Sequence, residues 1–168
     1  SQKYHVRASV ATVMIRVCRE RDDQEGERMW QYVLRCLGKL KHEGMSDEED
    51  GMVEATVNGQ QIVTRVRKVM RLSWRHSSFR DLFEIVDSVR GAEPSIFTQQ
   101  GRTPLQRVRV DALATPGRDP PKRLPESFFD ADYIQEASRF SYQLSDLQIS
   151  KKPFPILEAV RLPRHDED

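Results

Sequence analysis

The chain has 168 residues, 38% of them hydrophobic and 32% charged, with a formal net charge of +1; that length suits one domain burying roughly two thirds of its unfolded surface. No apolar run approaches the roughly 20 residues that a membrane-spanning helix needs. Two cysteines, Cys18 and Cys36, are too few for the disulfide framework of a small secreted protein.

The first residues, Ser1-Gln2-Lys3-Tyr4-His5, lack the basic and apolar stretches of a secretory signal, so an intracellular, non-membrane setting is expected. The charge is unevenly spread. Residues 51–125 carry 13 basic and 7 acidic side chains, a surplus of +6, whereas the two flanks together carry −5. That asymmetry is the one electrostatic clue to a partner.

In chain order, Val6, Val10, Val13, Met14 and Val17 recur at spacings of three and four, which predicts a helix from Val6 to about Arg21. The polar break Asp22-Asp23-Gln24-Glu25-Gly26 follows, and only Gly26 in it is a poor helix former, so one long helix and two shorter ones both fit. Met29, Trp30, Val33, Leu34, Leu37 and Leu40 then share a face, predicting a helix to about His42 with Gly44 as its left-handed stop. Residues 6–43 are thus a helical pair, in which Cys18 and Trp30, if off the main stripe, offer a dimer or partner surface in place of a core contact.

Ser46-Asp47-Glu48-Glu49-Asp50-Gly51 reads as an acidic loop without the alternating ligands of a calcium site. Asn58-Gly59 between β-prone runs predicts a β-hairpin over 52–72. Alternation puts Ile62, Thr64, Val66, Met70 and Leu72 on a core side and Val63, Arg65, Arg67, Val69 and Arg71 on a solvent side.

Ser77 and Ser78 suit a helix start, and Phe79, Leu82, Phe83, Val86 and Val89 form its buried stripe up to Arg90-Gly91, predicting a helix over 77–90. Residues 92–126 hold six of the nine prolines and read as a long extended connection in which only Val108-Arg109-Val110 suits a strand. Phe128 and Phe129 are expected as anchors, Asp130 as the cap of a helix over 130–141 with Ile134, Ala137 and Phe140 inward, and 142–168 as an extended tail. The expected fold is α+β: mainly helical, with one antiparallel β-hairpin and a long proline-rich extended segment.

Two stretches carry a family resemblance. Leu37-Gly38, then Gly44-Met45-Ser46 with acidic residues, then Trp74-Arg75, and later Leu124-Pro125-Glu126-Ser127-Phe128-Phe129-Asp130, resemble a pattern in uncharacterised proteins of mushroom-forming fungi, with Phe129 where that pattern has tyrosine. The resemblance spans roughly residues 30–135. It implies no activity and no site residue, and its genomic setting implies only an association with mobile elements.

The chemistry-bearing feature is basic. Between Ala55 and Arg80 stand six basic residues and no acidic one, and arginines at alternate strand positions make a row of phosphate donors. The expected nucleic-acid-binding residues, for DNA or RNA, are Arg65, Arg67, Lys68, Arg71, Arg75, Arg102, Arg107 and Arg109, with Trp74 as a stacking surface; nuclear placement would follow from that reading. The competing explanation is that strand charges block aggregation and that Trp74 is core.

No nucleophile elbow, phosphate-cradling glycine loop, zinc-protease motif or dinucleotide fingerprint occurs, so no enzyme and no cofactor are expected. His76 beside Ser77 and Ser78 is read as cap chemistry rather than a nucleophile and its base. Four scattered histidines and two cysteines outside a C-x-x-C pair predict no metal. The expected function is a non-enzymatic binding module for nucleic acid; the alternative is a protein-interaction or homo-oligomerisation module using the N-terminal helices.

Overall fold

The computed structural model describes residues 2–45, 47–92, 97, 107–113 and 119–156. The fold is α+β. The described residues fall into two compact units: 2–45, 74–92, 97 and 119–156 belong to the first, and 47–73 and 107–113 to the second.

The first unit is helical. Helix α1 (Gln2–Glu20) and helix α2 (Gln24–Leu40) are separate helices, because Asp22 takes a left-handed φ of +55° and Asp23 caps α2, its carboxylate accepting the Gly26 N–H at 2.9 Å. A Cβ at position 26 would collide with that carboxylate and sit 3.0 Å from the Cys18 Sγ. A residue that looked like a helix breaker is thus what admits the cap.

The buried stripe of α1 is Arg7, Val10, Ala11, Met14, Ile15 and Cys18, rotated from the valine-based stripe so that Val6, Val13 and Val17 are only half-buried. Arg7 can stand in it because its guanidinium grips Asp87 at 3.0 and 2.9 Å and lies 4.5 Å from the centre of the Phe83 ring. Burying a charge is tolerable only with such a partner. Cys18 and Trp30 are both core, at 3% and 0% exposure, which removes them as a partner surface. Both cysteines are free and buried, and burial pushes the Cys36 thiol up to about 12 and also raises Cys18, which disfavours the reactive thiolate.

The expected stop at Gly44 is not where α2 ends. Lys41 takes a positive φ of +54°, and Gly44 lies in a 3-10 turn (His42–Gly44) pressed against Leu40, where a Cβ would collide. Helix α3 (Ser78–Ala92) buries all five residues of its expected stripe and runs past Gly91. Its start is capped by a neighbour: the His76 Nδ1 accepts the Ser78 backbone N–H at 3.2 Å and lies 2.8 Å from the Ser78 Oγ.

Pro125 leads a 3-10 turn (Glu126–Phe128), and Asp130 caps helix α4 (Ala131–Ala137) by accepting the N–H groups of Asp132 and Tyr133. The helix expected to reach residue 141 stops at Ala137, and a second, α5 (Ser141–Asp146), occupies part of the expected extended tail. Phe140 therefore falls between helices and is exposed, not inward. Beyond α5 the chain returns as a strap: Ser150 bridges Pro125 in parallel, and Phe154 stacks on Tyr32 at 5.8 Å and meets Phe128 edge-on at 5.1 Å between ring centres.

The second unit is a three-stranded sheet of order β1 (Asp47–Val57), β2 (Gln60–Arg71) and β3 (Arg107–Leu113). β1 and β2 form the antiparallel hairpin, and both turn residues, Asn58 (φ +53°) and Gly59 (φ +77°), take the left-handed conformations that a two-residue hairpin turn requires. β3 lies parallel to β2. The acidic stretch 47–50 is strand, not loop: it pairs with residues 67–70 of β2. The rest of the proline-rich connection, residues 93–96, 98–106 and 114–118, lies outside the described residues, as does the end of the tail. No described helix is long and apolar enough to cross a membrane.

Candidate nucleic-acid interface

The candidate site is one face of the sheet, and its composition follows from register. Paired residues point to the same side. Met52 lies opposite Arg65, Asp50 opposite Arg67 and Glu48 opposite Val69 on the hairpin, while Arg107 lies opposite Arg67 and Arg109 opposite Val69 across β3. By alternation Arg71 joins them. Five arginines from two strands, Arg65, Arg67, Arg71, Arg107 and Arg109, therefore share a face with three carboxylates, Glu48, Asp50 and Glu54.

The carboxylates are placed among the guanidinium groups. Glu48, its side chain almost fully covered, reaches Arg107 at 3.2 Å and Arg67 at 3.6 Å, so one carboxylate ties all three strands together. Asp50 accepts from Arg67 Nη1 at 2.8 Å, and this contact holds the Asp50 carboxyl below its ordinary range and the Arg67 guanidinium above its own. Arg65 and Arg71 are exposed and make no ion pair among the described residues. Arg109 is half-buried.

The remaining expected site residues lie elsewhere. Lys68 points to the opposite face, its aliphatic stem lying over Gly51, where a Cβ would come within 2.5–2.8 Å of it. Trp74 and Arg75 belong to the helical unit and are 1% and 6% exposed. Trp74 packs against Phe129 at 6.1 Å, and Arg75 donates to the Gly44 carbonyl at 2.6 Å while lying 5.3 Å from the Phe83 ring centre. Asp130 N–H to Trp74 O and His76 N–H to Phe128 O, at 2.8 and 2.9 Å, tie Trp74-Arg75-His76 to Phe128-Phe129-Asp130. Trp74, Arg75, Phe128 and Phe129 in these segments are buried. Arg102 lies outside the described residues.

What sequence reasoning missed is Glu48, which the acidic stretch hid in an expected loop; the signal that would have found it is the matching run of arginines one hairpin arm away.

Past this cluster the hairpin changes character. Met52, Val57, Ile62 and Val63 are 55%, 47%, 44% and 53% exposed, and they fall on both faces of the ribbon, since Met52 and Val63 share the arginine face while Val57 and Ile62 take the other. The expected core side is buried only at Val66 and Leu72. Among the described residues no group of three His, Cys, Asp or Glu side chains is placed to hold a metal ion. Comparison of the chain with family models, with curated proteins and with solved structures finds no match.

Proposed function

We propose that this protein is a non-enzymatic binding module whose arginine-bearing sheet face engages the phosphate backbone of nucleic acid. The carrying observation is that β2 and β3 bring five arginines onto one face, with Arg65 and Arg71 exposed. Guanidinium groups in such a row offer paired donors to phosphate oxygens, and contacts of this kind set affinity without reading sequence. Glu48, Asp50 and Glu54 temper the face, leaving it two positive charges in surplus.

The test is binding to mixed-sequence DNA and RNA across a range of salt. Affinity should fall as salt rises, and Arg65→Ala with Arg71→Ala should reduce the slope of log affinity against log salt by about two. Asp50→Asn should act in the opposite direction and tighten binding, because it removes the closer of Arg67's two carboxylate partners. Absent binding, or binding indifferent to salt, sinks the reading.

A second reading has its own observation. Four large apolar side chains exposed on one hairpin are what a protein-docking ribbon presents, whereas Cys18 and Trp30, the helical-pair residues expected for that role, are buried. Light scattering over a wide concentration range checks the simplest case, a second copy: self-association that Val63→Ser abolishes supports it, and a monomer throughout counts against it.

A further inference from the structure

We propose that His5 and His42 form a two-histidine site for a borderline divalent transition ion such as Zn²⁺ or Ni²⁺. The residues are 37 positions apart in the chain, but the fold brings the first turn of α1 to the 3-10 turn after α2, and the two imidazole ring centres stand 5.2 Å apart. Two imidazoles bound to one tetrahedral zinc, with Zn–N near 2.1 Å, place their ring centres about 5 Å apart. The observed separation of the ring centres matches that distance.

Tyr4 forms the wall of the site. Its ring lies 4.7 Å from that of His42 and 5.4 Å from that of His5, so each imidazole is flanked by the phenol and by the other imidazole, which limits the rotamers left to lose when an ion binds. Both histidines are exposed while Tyr4 is half-buried, so an ion reaches the imidazoles from solvent and water completes its coordination. The donor set is imidazole nitrogen, which suits zinc, nickel and copper and gives nothing to magnesium or calcium. Binding staples the start of α1 to the end of α2, so the ion stabilises the folded helical unit by mass action.

The experiment is a titration of the whole chain with Zn²⁺ alone, then Ni²⁺ alone, read by thermal unfolding and by amide NMR shifts. The expected result is a saturable rise in Tm, reversed by a chelator, with the shifts centred on residues near 5 and 42. His5→Ala and His42→Ala should each weaken binding by at least about tenfold, while His76→Ala and His165→Ala leave it unchanged. The NMR map reads the wild-type chain directly, so a variant that folds poorly does not decide the outcome. No saturable binding, shifts centred elsewhere, or binding that survives both His5→Ala and His42→Ala overturns the proposal.

Discussion

The helical unit and the outer half of the hairpin obey opposite rules for the same kinds of residue. In the helical unit even charged side chains are buried: Arg7 and Arg75 lie inside, each with a polar partner and each against the Phe83 ring. In the hairpin even Ile62, Val63 and Met52 are outside. The difference is one of neighbours. A helix stripe meets other stripes and must be covered whatever stands in it, whereas a two-stranded ribbon lacks a second layer of its own and is only marginally stable as an isolated element. Its β-branched residues serve extended backbone and cross-strand contact first. Side-chain type alone therefore does not reveal what is buried in this chain.

Four substitutions sharpen that contrast, each measured by urea or thermal unfolding. Phe128→Ala removes a fully buried ring that packs on Phe79 at 4.8 Å and on Phe154, and should cost about 4 kcal/mol. Arg7→Ala should cost about 3 kcal/mol, the low end for a broken buried pair because Asp87 retains some contact with water. Gly59→Ala at the hairpin turn should cost about 1 kcal/mol through its positive φ, with no loss of packing since a Cβ there meets nothing. Ile62→Thr should change stability by no more than about 0.5 kcal/mol; a loss of 2 kcal/mol or more would mean the ribbon has a cover and would end the contrast.

Thiol chemistry adds a fifth check. The raised Cys36 pKa, pushed to about 12 by burial, keeps the thiol protonated at neutral pH. Alkylating reagents should leave both cysteines untouched in the folded chain and label both after unfolding.

Local signals were legible in the sequence. The stripe of α3, the Asn58-Gly59 turn, the Asp130 cap and a strand at Val108-Arg109-Val110 each depend on residues within a few positions of one another. What escaped depends on distant partners. Arg7 stands in a buried stripe because Asp87, far away in sequence, pairs with it, and residues 47–50 looked like a loop because acids are rare in strands, yet Arg67 and Arg107 neutralise Glu48 across the sheet. The candidate face was half legible for the same reason. Alternation along β2 put Arg65, Arg67 and Arg71 on one side, and only the parallel pairing of β3 adds Arg107 and Arg109, while Trp74 and Arg75, adjacent in sequence, fold into another unit. His5 and His42 looked scattered until the turn of the helical pair brought them together.

The edge strand β1 carries one more consequence. Its eleven residues include Asp47, Glu48, Glu49, Asp50 and Glu54 and no base, so a second β1 aligned beside it would bring carboxylate against carboxylate. Like charge of this kind is a gatekeeper against fibre growth, and it sits beside a ribbon with exposed isoleucine and valine, where the hazard is greatest. Removing that charge, by exchanging Asp50 and Glu54 for their amides, should therefore favour assembly strand upon strand.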